Sequence, residues 1–285
     1  MGSMMRATKK GSISVRVWIF IAVLLFPPQA FSASNCPLRK FRSQGRAYLI
    51  GAYKSSFPDF GNLKISEGQL STPGVATVAQ MSMNGSVIVD IHNHKAFGPY
   101  RPPFYNSDYL EFAGGVGYSA GPVRLELERF HSVFETKGGV GSVNKDDACN
   151  IALVRAQTIM PGNYAVVENR KIDVSSVALN LCYEQIQISA ALGYVCVGVS
   201  GNRLSLLNTG DVTHGYQGKM GVGIPMTRGV TLFIGTYYHM LYSSRFSSVA
   251  LVVPERFDVV PKPVAAKANM RIAHFGGEFG ARYMF

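Results

Sequence analysis

The sequence predicts an all-β protein: an eight-stranded antiparallel transmembrane barrel of the outer membrane, with long external loops and a signal peptide ahead of it. Three observations carry that prediction. The chain closes on HFGGEFGARYMF, in which Phe275, Gly277, Phe279, Ala281, Tyr283 and Phe285 alternate with His274, Gly276, Glu278, Gly280, Arg282 and Met284. Strand side chains alternate between faces, so this segment has one oily and one polar side. Further alternating segments precede it, and the connections between them alternate long and short, as in barrels with short periplasmic turns and longer outer loops. Charged residues make up only 16% of the chain, against about 25% in a soluble domain.

At the N-terminus, Arg6, Lys9, Lys10 and Arg16 precede and flank the apolar run VWIFIAVLLF, and PPQAFSAS follows. A positive region, a short apolar core and small residues are the pattern of a secretory signal. The run is too short for a spanning helix, so residues 1–32 read as a signal peptide cleaved after Ser32. Residues 33–45 read as a periplasmic segment and 46–285 as the barrel. Cleavage removes four positive charges and no negative one from a formal net charge of +11. The exported chain therefore stays basic, which points to polyanionic partners such as lipid headgroups or host glycans rather than nucleic acid.

The strands follow in order. Arg46–Tyr53 is the first, with poorly distinguished faces. Tyr109–Tyr118 directs Leu110, Phe112, Val116 and Tyr118 outward and Glu111 inward. Val123–Phe130 directs Val123, Leu125 and Leu127 outward and Arg124, Glu126 and Glu128 inward, with a slip of phase expected near Arg129 and Phe130. Val177–Tyr183 carries Asn180 and Cys182 on its polar side, and Ser189–Ser200 directs Val195, Val197 and Val199 outward. Tyr216–Ile224 directs Gln217 and Lys219 inward, Val230–Met240 is apolar on both sides, and the closing strand completes eight. Short connections are expected at Ser119–Gly121, Glu184–Ile188 and Pro225–Gly229. Long ones are expected at Lys54–Asp108, Glu135–Arg170, Gly201–Gly215 and Leu241–Asn269. Aromatics near strand ends (Tyr109, Phe112, Tyr118, Phe130, Phe134, Tyr183, Tyr216, Tyr242, Tyr283 and Phe285) suit the girdles that form at headgroup level.

The runs FAGGVGYSAGPVRLELE, VALNLCYE, GYQGKMGVGI and HFGGEFGARYMF resemble the surface-antigen family of Anaplasma and Ehrlichia bacteria. This is the major surface protein two superfamily, which includes the outer-membrane-protein-one antigens. The likeness covers most of the mature chain strand by strand and fades in the long loops; MSMNGSVIVDIHNHKAFGPYRPP matches poorly. It implies an outer-membrane barrel displayed as an antigen, with passive porin activity and host-cell contact as associated roles. It brings no catalytic residues and no cofactor. It also implies that the last strand, through Phe279, Tyr283 and the terminal Phe285, is the signal read by the barrel-assembly machinery.

The inward charges Arg124, Glu126, Glu128, Lys219, Glu278 and Arg282 must be paired or hydrated in a lumen only wide enough for its own side chains. They read as a salt-bridged plug or as a narrow polar path. Cys182 and Cys196 fall opposite on neighbouring strands, either as a disulfide or as two buried thiols. Cys36 and Cys149 fall on opposite sides of the barrel wall and are not expected to pair. His92 and His94 have metal-like spacing but no third ligand, so no metal site is expected, and Asn84 heads a sequon that an export route in bacteria leaves unused. His131 and Ser132 point to opposite faces, which makes them a poor catalytic pair. The expected role is a surface antigen whose loops contact host surface molecules or antibodies. The contrasting readings are a lipid-modifying outer-membrane enzyme and a soluble exported binding barrel; self-association stays open.

Overall fold

The computed structural model describes residues 45–67, 74–78, 97–99, 103–137, 149–154, 164–188, 191–226, 229–242, 245–251 and 265–285. The expected signal peptide, Cys36, Asn84, His92 and His94 lie outside them. The described strands are β1 (Arg46–Pro58), β2 (Lys64–Glu67), β3 (Gly74–Val78), β4 (Phe97–Pro99), β5 (Phe104–Tyr105), β6 (Asp108–Ala120), β7 (Val123–Lys137) and β8 (Asn150–Val154). They continue with β9 (Tyr164–Glu168), β10 (Lys171–Ile188), β11 (Ala191–Leu206), β12 (Thr209–Pro225), β13 (Val230–Leu241), β14 (Arg245–Val249), β15 (Ala266–Asn269) and β16 (Ala273–Met284).

Eight of these pair antiparallel in the cyclic order β1-β6-β7-β10-β11-β12-β13-β16. The ring closes where β16 pairs with β1, Tyr48 opposite Met284 and Tyr53 opposite Phe279. The Phe285 amide adds a hydrogen bond to the Ala47 carbonyl, 3.0 Å, so the chain's last residue lies in the closing seam. Closure leaves no unpaired edge, which is the condition for β structure to cross hydrocarbon.

The outward face carries Leu125, Leu127, Leu179, Leu181, Val197, Val199, Ile234 and Phe279, all exposed. So much contiguous apolar surface needs hydrocarbon around it. The protein is a transmembrane barrel. Of the expected girdle residues, Tyr109, Phe112, Tyr118, Tyr183, Tyr216, Tyr242, Tyr283 and Phe285 are exposed, but Phe130 and Phe134 are buried inside. The expected phase slip in β7 does not occur. Alternation runs unbroken from Val123 to Lys137, placing Phe130 inward and Arg129 outward. The register shifts fall instead between Lys54 and Ser56 of β1, and between Glu184 and Ile186 of β10.

The strands also run further than their patterns suggest. β10 continues through Ile188, so Glu184–Ile188 is strand rather than turn. The long connection expected at Gly201–Gly215 is instead a continuation of β11 and β12 to a tight turn at Leu207 and Asn208, both with positive φ of 54° and 58°. Left-handed backbone suits asparagine and disfavours leucine. Leu207 holds it because its side chain is buried in an apolar cluster, and such burial contributes about 1.5–3 kcal/mol.

That cluster sits at the end of the barrel where the long connections emerge, here called the loop end; the start of β1 at Arg46 and the last residue, Phe285, mark the turn end. The inward face of each long strand changes character along its length. β7 reads Arg124, Glu126, Glu128 and then Phe134; β10 reads Cys182 and Asn180 and then Val174 and Ile172; β11 ends on Leu204 and Leu206. These apolar ends pack with Leu63, Ile65, Ile151, Leu153, Val167, Phe246, Val249, Met270 and Ile272. The partners come from two small sheets, β14-β15-β2 and β4-β3-β8-β9, and from the approach to β16. The described parts of the long connections thus form a cap that shares a hydrophobic core with these strand ends, and β5 joins the barrel sheet at Thr136 and Lys137 of β7.

Candidate functional site

The lumen is built by the inward residues of eight strands, and their order in height follows from the register. Nearest the turn end, Arg124 Nη1 donates to Glu126 at 2.5 Å and Tyr48 Oη donates to the same carboxylate at 2.9 Å. Arg282 grips Glu184 with both terminal nitrogens, 2.7 and 3.1 Å, and Arg124 Nε lies 3.1 Å from it. In mid-barrel, Lys219 bridges Glu128 at 3.0 Å and Glu278 at 3.1 Å. Lys54 reaches Glu128 from the other side at 3.3 Å. Asn180 and Gln217 donate to Glu128, and Tyr194 donates to Glu278 at 2.9 Å.

The next layer is less charged. The Lys54 ammonium sits 4.2 Å over the Phe130 ring and 4.0 Å over that of Tyr237. Glu111 accepts from Ser56 and Ser132, and Ser56 also meets the Tyr237 hydroxyl. His239 and His274 share a 2.8 Å hydrogen bond, with Ser200 on the far side of His239 at 2.9 Å. Above them begins the apolar core of the cap.

Inward glycines make room for the rings. A Cβ at Gly221 or Gly235 would stand 2.7 or 2.6 Å from the Tyr194 hydroxyl, so only glycine lets that ring cross the lumen.

The structure thus places all six sequence-predicted charges inside and buried, in two ion-paired groups that meet at Tyr194, whose ring faces Arg124 and Arg282 and whose hydroxyl reaches Glu278. Lys54, Glu184, Tyr48, Tyr194, Tyr237 and the histidine pair also fill the lumen but were not singled out by pattern. Lys54 and Glu184 stand where the pattern suggested a loop and a turn. β13 is apolar on both faces, which hid the phase of Tyr237 and His239. Cys182 and Cys196 face each other with Cα atoms 4.0 Å apart and are joined as a disulfide. Glu126 lies close enough for the three to form a metal-sized group, but joined sulfurs offer no thiolate to a metal. Cys149 is buried beside β8.

One pairing was hidden from sequence because it spans two strands. His131 Nδ1 lies 2.8 Å from Ser175 Oγ and 3.5 Å from Asp173 Oδ1, on the outward face near the loop end. Both partners meet the same ring nitrogen. In a hydrolytic relay the acid orients one nitrogen while the other takes the serine proton, so this arrangement does not form that relay. Ser132, next in sequence, points inward to Glu111.

The arrangement is a barrel whose lumen is occupied by paired side chains, beneath an apolar cap. Comparisons with known proteins agree with a membrane barrel. Major surface antigen 4 of Anaplasma marginale is 28% identical over 243 residues, 85% of this chain and 84% of that protein. In fold, the chain is similar to the outer membrane protein OprG from Pseudomonas aeruginosa, with a TM-score of 0.52 and 14% identity. That match covers 85% of this chain and 97% of OprG. A family model described as surface antigen matches residues 41–285, which takes in every strand of the barrel and the cap. The chain therefore belongs to the surface antigen family and is an outer-membrane β-barrel.

Proposed function

We propose that the barrel is a rigid display scaffold, with the capped loop end turned outward to meet host surface molecules and antibodies. The observation that carries this reading is the continuation of β7, β10, β11 and β12 beyond the membrane belt into a cap with which they share a core. A barrel built only to anchor would need no such extension, and a conduit would be blocked by it. The lumen network supports the same reading, because its charges are held by close ionic partners from neighbouring strands rather than presented as a lining to a passing solute. Passive passage of ions or small solutes is the secondary role the family resemblance implies, and the filled lumen of a single chain speaks against it. On the same reading, Phe279, Tyr283 and Phe285 present exposed rings along the closing seam to the assembly machinery.

The test is topological. Single cysteines placed at exposed cap positions Ser247 and Lys267 should react with a membrane-impermeant maleimide on intact cells. Cysteines at the turn-end positions Gly121 and Met226 should react only after the outer membrane is opened. The reverse labelling pattern would overturn the display role.

A further inference from the structure

The lipid-facing boundary at the loop end differs around the barrel. On β1, β6, β12 and β16 the outward positions there include the rings of Tyr53, Phe57, Phe112, Tyr216 and Phe275. On β7, β10 and β11 the same zone is basic and polar. The outward run Val123, Leu125, Leu127 of β7 gives way to Arg129 and His131. Val195, Val197 and Val199 of β11 give way to Gly201 and Arg203. Between them, Leu181, Leu179 and Val177 of β10 give way to Ser175. The register gathers these residues. Ser175 stands opposite His131 on one side and Arg203 on the other, and Val177 stands opposite Arg129 and Gly201. His214, also exposed, stands opposite Gly201.

Neither Arg129 nor Arg203 has a carboxylate partner among the described residues. Asp173 lies further from the apolar band, within 3.5 Å of His131 and 3.8 Å of Lys171. In the lumen, by contrast, every described Lys and Arg is paired with a glutamate. A guanidinium at the edge of hydrocarbon without a counterion is costly, and its long stem lets it reach up to the headgroup layer. Phosphate oxygens there match its fork of donors.

We propose that Arg129 and Arg203, with the His131–Ser175 pair between them, form a docking site for the phosphate of an anionic membrane lipid in the leaflet at the loop end. The chemistry recognised is a phosphate anion. The lipid is the source because the site opens sideways onto the bilayer, directly above the valine and leucine band that would hold the acyl chains. Bound there, the lipid shares its one anionic phosphate between the two arginines and holds three adjacent strands of the wall to one headgroup.

The test uses the full-length mature protein in nanodiscs of phosphatidylcholine doped with phosphatidylglycerol. Native mass spectrometry counts the lipid retained on the ejected barrel. Phosphatidylglycerol should be retained in preference to phosphatidylcholine. The preference should fall about fivefold for each arginine lost in Arg129→Gln and Arg203→Gln, following the ~1 kcal/mol weight of a basic residue at an anionic surface. The Arg129→Lys and Arg203→Lys variants should keep most of it. Wild type with no preference for phosphatidylglycerol, or a double glutamine variant that folds and keeps the full preference, would overturn the proposal. Inorganic phosphate added to pure phosphatidylcholine nanodiscs should leave the thermal midpoint unchanged. A stabilisation equal to that by phosphatidylglycerol would reassign the site to free phosphate and end the lipid assignment.

Discussion

Glu128 holds the centre of the lumen: Lys54, Lys219, Asn180 and Gln217 all converge on it. Burying those charges is costly, and the geometry offsets the cost only while the set is complete. Glu128→Ala leaves two buried ammonium groups short of their shared counterion and should destabilise the barrel by about 3–5 kcal/mol. Glu128→Gln keeps the shape and should fall between. The measurement is the temperature at which the compact gel band converts to the unfolded one; an unshifted Glu128→Ala midpoint would contradict the network's role. At this scale the sequence was informative wherever alternation was clean, as for Arg124, Glu126 and Lys219. It was silent for His274 and His239 as a pair, because their contact joins β16 to β13 across a long separation in sequence.

The β11–β12 hairpin shows what pattern reading loses at the level of elements. Its outward residues Arg203 and His214 are polar, and Gly201, Gly210 and Gly215 interrupt it, so it reads as a loop. The strands persist because Leu204 and Leu206 on the inner face are buried in the cap, and burial outweighs local propensity. Leu206→Ala should cost the cap about 2–5 kcal/mol while the thermal midpoint of the barrel moves little. Amide hydrogen exchange in β14 and β15 should speed up. If exchange there is unchanged, those sheets do not depend on the hairpin. The closing strand makes a separate prediction. Phe285→Ala removes an exposed ring but not the backbone hydrogen bond to Ala47, so refolding into detergent should be altered by no more than about 0.5 kcal/mol, as for an ordinary surface change. The fraction assembled in the outer membrane of cells should drop sharply. Equal losses in both assays would make the residue structural rather than a signal.

On the scale of the whole molecule, two independent closures lie in series: a charged network in mid-barrel and an apolar core at the loop end. An eight-stranded ring has an interior only wide enough for its own side chains, and the strand count left a salt-bridged plug or a narrow polar path as the two readings of the lumen. The second closure was not legible, since the cap residues are scattered over connections from Leu63 to Ile272 and acquire a common core only when the barrel sets their spacing. Series closure gives a prediction that one seal alone would not. The intact protein in planar bilayers should show no steady conductance. Deleting residues 202–213, with the folded band on the gel as control, should expose the lumen to the loop side and still leave the bilayer silent, because Lys54, Lys219 and Glu128 remain locked below. Adding Glu128→Ala to that deletion should produce fluctuating, cation-sensitive currents as the freed ammonium groups repel one another. Steady conductance in the intact chain would mean that the lumen network yields under voltage, and the display scaffold would then have to be reconsidered as a conduit.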